Sequence, residues 1–302
     1  MQTRPLGRTG LMVTPLGLGC AELGIESVRV QRAIPLLEGV LAAGINVLDT
    51  AECYGESEAI LGESIGQRRD EFVLMTKCGH SVNGTTSPAW TGELVRESID
   101  RSLVRLRTDH VDVLLLHSCP SQTLRHEDLL RAMQEARDQG KTQAIGYSGD
   151  NEAAALAVAM GLFDVLEISL NIVDQQAIDR VLPQARAAEM GIVIKRPLAN
   201  ACWRPSTKDS FYAQYGAEYA RRLERMSFQP ADIGFAGEWP ELALRFAVHT
   251  PGVSTAIVGS TTLSHVHENI DAVNKGPLSD KVLASLRQLW RHHDDGSWVG
   301  QG

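Results

Sequence analysis

The sequence predicts an α/β fold, a (β/α)8 (TIM) barrel with an N-terminal β-hairpin cap and long loops at the C-terminal face, in one domain over residues 1–302. Three observations carry that prediction. Short apolar runs rich in Val, Ile and Leu recur along the chain, each followed by a stretch with helical patterning. The runs are apolar throughout, without strict alternation, as strands of a parallel sheet covered on both faces must be. The length of 302 residues also accommodates the roughly 250 residues that a closed barrel takes as one domain. A doubly wound open sheet is the structural alternative, and eight strand–helix units in series favour the closed form.

The elements follow in order. Residues 1–14 carry Gly7-Arg8-Thr9-Gly10 between two short β-like pieces and read as a small hairpin plugging one barrel end. Core strands are predicted at 15–19, 46–49, 72–77, 111–117, 144–148, 165–169, 192–195 and 256–259. Helices are predicted between them, at 31–43, 93–106, 127–139, 152–160, 176–189 and 241–250, with a tail helix at 281–293 followed by a polar, solvated end. Gly44, Gly140, Gly161 and Gly191 stand where a left-handed residue stops a helix. Gly17-Leu18-Gly19 is too short for a dinucleotide loop and reads as a tight first barrel loop. Residues 197–240 form a long excursion with Trp203, Phe211, Tyr212, Tyr215, Tyr219, Phe228 and Trp239, the three tyrosines at a helical spacing that suits packing. Loops of this length are usually functional. With the loop around Trp90, the excursion is expected to cover the barrel mouth and set substrate choice.

Bulk properties narrow the function classes. Lys and Arg number 29 against 37 Asp and Glu, a net charge of −8, which argues against general affinity for nucleic acid or anionic membranes. The five cysteines are odd in number and show no C-x-x-C spacing, so neither a disulfide framework nor a zinc site is expected, and a reducing, cytoplasmic setting is the default. Residues 1–10 hold no apolar signal-peptide core, and no apolar run approaches the roughly 20 residues of a membrane span. No metal site is expected: His265 and His267 face different ways on a helix, and His292, His293, Asp294 and Asp295 read as solvated tail.

Barrel enzymes carry their active sites at the carboxyl ends of the strands. There the sequence places Asp49, then Tyr54 five residues on, Lys77, His117 and Ser148. A tyrosine titrates near pH ~10 when free, and a lysine ammonium beside it makes it a better acid. An aspartate would hold that lysine charged and oriented. Asp, Tyr, Lys and His at one mouth therefore make a proton-donor site. Cys53, next to Tyr54, reads as a packed, inert thiol.

The stretch Asp49-Thr50-Ala51-Glu52-Cys53-Tyr54-Gly55-Glu56-Ser57-Glu58 with Leu61-Gly62 resembles the signature of the aldo-keto reductases, bacterial branch. Thr76-Lys77 after an apolar strand, Arg101-Ser102-Leu103-Val104-Arg105-Leu106, and Asp109 through Leu114-Leu115-Leu116-His117 are similar to further motifs of that family, as is the opening Leu6-Gly7-Arg8-Thr9-Gly10-Leu11. The resemblance runs from about residue 3 to about residue 273.

It implies a catalytic tetrad of Asp49, Tyr54, Lys77 and His117. Tyr54 would donate a proton to a carbonyl oxygen as hydride arrives from a nicotinamide; Lys77, paired with Asp49, would lower the tyrosine pKa; His117 would orient the carbonyl. It implies that Ser148 and Asn171 stand at the nicotinamide carboxamide, with Lys195, Gly259, Ser260, Thr261, His265, Glu268 and Asn269 toward the pyrophosphate and adenosine end. Three positions depart from the pattern: Gly149 where Asn is usual, Glu167 where Gln is usual, and Leu170 where a stacking aromatic is usual. Residues 259–265 also lack the Lys or Arg that commonly holds the 2′-phosphate of NADP, so NADP(H) is favoured by the resemblance with NAD(H) possible.

The expected partner is a small-molecule carbonyl or alcohol substrate, bound by a monomer or weak homo-oligomer, with no nucleic acid and no membrane. The alternatives are a sugar or alcohol dehydrogenase working mainly in the oxidative direction, and a cofactor-binding regulatory subunit on the same fold.

Overall fold

In the computed structural model the described residues are 1–26, 28–204 and 213–301, the side chains of 213–215 excepted. Two short strands, β1 (Arg4–Pro5) and β2 (Met12–Val13), pair antiparallel as a hairpin. Eight parallel strands follow: β3 (Leu16–Gly19), β4 (Val47–Asp49), β5 (Val73–Cys78), β6 (Val111–His117), β7 (Thr142–Ser148), β8 (Val165–Ser169), β9 (Gly191–Lys195) and β10 (Thr255–Gly259). Each pairs with the next, and β10 closes the barrel by pairing with both β9 and β3. All eight stand where the apolar runs predicted them, two of them to the residue.

The helices are α1 (Ala21–Ile25), α2 (Val30–Ala42), α3 (Ser57–Ile65), α4 (Gly92–Leu106), α5 (Glu127–Asp138), α6 (Asn151–Ala159), α7 (Gln176–Arg180), α8 (Leu182–Ala187), α9 (Ala213–Met226), α10 (Trp239–Val248), α11 (Leu263–Asn274) and α12 (Asp280–His293). One expected helix, over 176–189, is two. The chain leaves helical geometry at Val181 and restarts with Pro183 in the first turn of α8, where a missing N–H costs nothing. The excursion after β9 contains α9, whose apolar stripe was hidden in a stretch read as loop. Phe211 and Tyr212, and the side chain of Tyr215, lie outside the described residues.

Gly44, Gly140 and Gly161 take positive φ at helix ends as expected. Gly191 does not: the left-handed residue there is Glu189, with φ 55°. Gly191 instead opens β9, and a Cβ on it would come within 2.7 Å of Leu6. Gly17 likewise lies inside β3, where a Cβ would press to 2.9 Å on Val47. Its smallness serves strand packing, not a first barrel loop.

That packing explains the plug. Val47, Val73, Met75, Val113, Leu115, Ala144, Val165, Val193 and Ile257 fill the barrel interior, and Leu6 and Val13 of the hairpin close it from below. The hairpin is fixed to the amino ends of the strands, with Thr14 N–H donating to Asn46 Oδ1 and Arg4 Nε to the Ser254 carbonyl. The carboxyl ends are thereby left open at the other side. Leu6 is fully buried. Leu6→Ala is expected to cost about 2–5 kcal/mol of stability by cavity formation while leaving the opposite end intact. Urea denaturation beside ligand binding at the mouth checks this; an equal loss of binding would place the plug in the functional site.

Candidate active site

The carboxyl ends of the strands surround a cavity of about 700 Å³, lined among others by Gly19, Asp49, Tyr54, His117, Ser148, Glu167, Lys195 and Gly259. That volume lies within the range of small-molecule and cofactor sites, about 300–1,000 Å³. At its floor the Lys77 ammonium is fully buried. It donates to Asp49 Oδ2 at 2.5 Å and to the Thr50 carbonyl at 3.0 Å, and it stands 3.5 Å from Glu167 Oε2. Its nitrogen lies 5.2 Å from the Tyr54 ring centroid, and the His117 ring meets Tyr54 edge-on at 5.6 Å. The structure thus brings Asp49, Tyr54, Lys77 and His117 together from β4, the loop after it, β5 and β6.

The loop carrying Tyr54 is held from two sides. On one, α1 rests against it so closely that a Cβ on Gly24 would meet the Tyr54 carbonyl oxygen at 1.6 Å. On the other, the buried Glu52 accepts from Ser98 and, at 2.7 Å, from Arg101 Nε. Buried Glu58 accepts from Thr76 at 2.6 Å, with Arg105 at 3.5 Å. The signature residues around Tyr54 and those of α4 are therefore one clamp, which sequence spacing alone did not reveal.

Electrostatics at the floor follow from burial and one excess anion. Burial by itself would lower the Lys77 pKa, yet Asp49 and Glu167 push it well above its usual value. Burial and the neighbouring Glu167 push Asp49 well up, with Lys77 opposing. Tyr54, half-buried, ends above the ordinary phenol range: burial raises it, Lys77 pulls it down, and Asp49 and Glu167 push it back up. The expectation that Lys77 makes Tyr54 a stronger acid holds for the lysine's own influence; the net shift is upward because burial and two carboxylates oppose one ammonium. His117 is held well below its usual value by burial and then by Lys77, so its imidazole is neutral at pH 7.

Cys53 is not packed away. It is exposed, and its Sγ lies 3.3 Å from His117 Nδ1. Desolvation pushes its pKa up to about 11. In the tautomer with the ring proton on Nε2, the thiol donates to Nδ1.

The cofactor candidates divide. Ser148, Lys195 and Gly259 line the cavity. Ser148 donates to Glu167 Oε1 at 2.9 Å, and Lys195 pairs with Asp150 at 3.1 Å. Ser260 and Thr261 follow Gly259 at the rim, before α11. His265, Glu268 and Asn269 lie on α11, outside the cavity wall, the first two exposed. Asn171 is fully buried, its amide donating to the Arg196 carbonyl and accepting from Val173 N–H. Gly149 has a steric reason: a Cβ there would lie 2.3 Å from the Tyr147 hydroxyl, which bonds the Cys119 carbonyl. Leu170 is fully buried.

Arg196 and, from the excursion, Pro197, Leu198, Asn200 and Ala201 line the same cavity, as does His80, which Trp90 meets edge-on at 4.6 Å. The tail beyond α12 is solvated only in part: Asp295, Gly296, Ser297 and Val299 are exposed, while other residues dock. Trp298 is buried, Gly300 exchanges two hydrogen bonds with Asn151 at 2.9 and 2.7 Å, and Arg222 donates to the Val299 carbonyl at 2.6 Å. Polar composition hid this docking, since the contacts are made by backbone.

A dinucleotide suits these residues. Glu167 Oε2 is buried without a hydrogen-bond partner and faces the cavity. Gly19 and Gly259 pair where β3 and β10 meet at the rim, with the Glu22 carboxylate against Gly259. Lys195 and Arg196 add positive charge nearby.

Removing the lysine tests the floor. Lys77→Met leaves Asp49 and Glu167 buried without a cation, at an expected cost of about 3–5 kcal/mol at neutral pH. The Asp49 pKa, already raised, would then rise further, so the variant's deficit should shrink as pH falls from 7 toward about 4, where the unfolded carboxylate also protonates. Thermal denaturation across that range measures it, and a deficit independent of pH would contradict the charge account.

Comparison with known proteins gives one picture. The model described as "Aldo/keto reductase family" matches residues 15–291, starting after and ending beyond the stretch of motif resemblance. The chain is 28% identical to the L-galactose dehydrogenase of Arabidopsis thaliana over 298 residues, covering 91% of this chain and 89% of that protein. It is 26% identical to the NADH-specific methylglyoxal reductase of Escherichia coli over 332 aligned positions, covering 96% and 98%. Among solved structures, the holo form of the aldo-keto reductase AKR11C1 of Bacillus halodurans superposes with a TM-score of 0.81 over 96% of both chains at 24% identity, a likeness of fold.

Proposed function

From the premise that this chain belongs to the aldo/keto reductase family, we propose that it is an NAD(P)H-dependent oxidoreductase that reduces an aldehyde or ketone to an alcohol, or runs the reverse, with Tyr54 as general acid–base. The observation that carries the reading is the buried ammonium of Lys77, bonded to Asp49 and lying beside the Tyr54 ring with His117 across from it. A nicotinamide bound in the cavity supplies hydride to the substrate carbon or accepts it. The protein's own residues handle the proton and the geometry.

Tyr54 gives its hydroxyl proton to the substrate oxygen as negative charge develops there, and takes it back in the oxidative direction. Lys77 stabilises the resulting phenolate, and Asp49 keeps Lys77 in place. Neutral His117, its Nδ1 engaged by Cys53, directs an Nε2 proton at the substrate oxygen and fixes its approach. Ser148, Lys195, Gly259, Ser260 and Thr261 hold the cofactor along the mouth, and His265, Glu268 and Asn269 meet its adenosine end. Asn171, committed to backbone, serves by shaping the Arg196 loop. In this reading residues 1–302 act as one domain, a monomer or weak homo-oligomer in the cytoplasm, and the loops at 79–90 and 197–240 select the substrate. An intact proton relay favours turnover over a purely regulatory, cofactor-binding role.

Two measurements test the proposal. Tyr54→Phe is expected to lower kcat by about 10²–10⁴-fold, the usual share of general acid–base catalysis, with cofactor affinity nearly unchanged. Near-wild-type turnover of an aldehyde panel by the variant would refute the role of Tyr54, and cofactor binding without turnover by the wild type would favour the regulatory alternative. The second concerns nucleotide choice. No Lys or Arg stands in residues 259–265, and Lys195 and Arg196 reach the mouth from the other side. NADPH and NADH are therefore expected to support kcat/KM within about 10–100-fold of each other, the worth of one or two charged contacts. A preference for NADPH beyond about 10³-fold would require a basic residue folding over the 2′-phosphate.

A further inference from the structure

We infer that Glu167 biases the cavity toward the oxidised form of its nicotinamide cofactor by standing as a second buried anion beside a single lysine. The inference rests on the oxidoreductase reading above. Glu167 lies on β8 and is only 2% exposed. Its Oε1 accepts from Ser148, while its Oε2 has no hydrogen-bond partner and lies 3.5 Å from the Lys77 nitrogen. That nitrogen already donates to Asp49 Oδ2 and to the Thr50 carbonyl. Two carboxylates thus share one ammonium, and the shorter, hydrogen-bonded contact belongs to Asp49. Asp49 Oδ1 and Glu167 Oε2 are both buried without a hydrogen-bond partner, burial and Glu167 push Asp49 well above the usual carboxylate range, and Glu167 lines the cavity.

The position of the ring follows from the chemistry. Hydride transfer requires the reacting carbons to be about 3–3.5 Å apart, and the substrate oxygen must meet Tyr54. A nicotinamide that meets both requirements would lie near Tyr54, in the cavity that Glu167 also lines. Its oxidised ring carries a positive charge and its reduced ring none. In a low-dielectric cavity a carboxylate at close range distinguishes the two. Among the other charged groups lining the cavity, Lys195 is paired with Asp150, Lys195 and Arg196 are cations, which would favour the neutral ring, and Glu22 lies against Gly259 at the β3–β10 seam. A carboxamide at position 167 would make similar hydrogen bonds without the charge. Binding the oxidised ring more tightly lowers the energy of the state reached after hydride has left the cofactor, so Glu167 tilts the bound equilibrium toward carbonyl reduction.

The test is equilibrium binding, without turnover. Dissociation constants of the oxidised and reduced cofactor are measured by titration calorimetry and by nucleotide fluorescence for wild type, Glu167→Gln and Glu167→Asp. Glu167→Gln is expected to shift the ratio of the two constants about tenfold against the oxidised form, equivalent to about 30 mV in the bound potential. Glu167→Asp keeps the charge and should keep the ratio within a few-fold. A Glu167→Gln protein that binds both forms with the wild-type ratio, or weakens both equally, overturns the inference and makes Glu167 a packing residue. If Glu167→Gln does not fold, Glu167→Met, neutral and of similar volume, carries the same expectation. Wild-type protein that binds neither form would overturn the oxidoreductase reading itself, an outcome distinct from an unchanged ratio.

Discussion

The rest of the molecule is arranged around one buried ammonium. A lysine with no solvent access pays several kcal/mol in lost hydration unless anions and hydrogen bonds replace the water. Lys77 finds them because a closed barrel brings the carboxyl ends of β4, β5 and β8 to one point: Asp49 and the Thr50 carbonyl from one side, Glu167 from the other. An open sheet would leave β4 and β8 far apart. The closure of β10 on β3 is thus a condition for the charge to exist at all, and the purely apolar strands that permit closure also set the low dielectric in which it acts.

Holding the proton donor over that charge needs rigidity that a surface loop does not provide by itself. The Tyr54 loop obtains it from a steric contact and an ionic one. Gly24 lets α1 lie directly on the Tyr54 backbone, and Glu52 and Glu58 tie the loop and α3 to Arg101 and Arg105 of α4. At the opposite end of the barrel, Leu6 and Val13 finish the core without touching the mouth. Stability is therefore concentrated at the amino ends of the strands and chemistry at the carboxyl ends, the division expected of this fold.

Much of this could be read from residues in order. Continuous apolar runs placed all eight barrel strands, because a strand buried on both faces has no other composition available. The ends of those strands gave Asp49, Lys77 and His117, since the mouth of a barrel is a property of topology and not of distance along the chain. What could not be read depends on contacts through space. Gly191 looked like a helix stop and is instead a seat for Leu6. The 176–189 helix broke where Pro183 allowed a restart. Cys53 was expected to be packed and faces His117, and the polar tail docks through its backbone onto Asn151 and Arg222. The Tyr54 pKa was predicted from its lysine alone, whereas the sum includes burial and a carboxylate 113 residues away in sequence.

The departures from the family pattern share a location. Gly149 and Leu170 lie just beyond the ends of β7 and β8, Glu167 lies within β8, and the missing basic residues lie just beyond β10. None lies on β4, β5 or β6, which supply Asp49, Lys77 and His117. Proton chemistry tolerates little change, because a donor displaced by about 1 Å can lose about 10²-fold in rate. The wall that holds a cofactor can change more freely, since its contacts are numerous and each contributes a modest share of the affinity. Here the changes are also coupled to one another. The Tyr147 hydroxyl fills the space a side chain at 149 would use, which leaves Ser148 to bond Glu167, and that bond orients the carboxylate with its free oxygen toward Lys77.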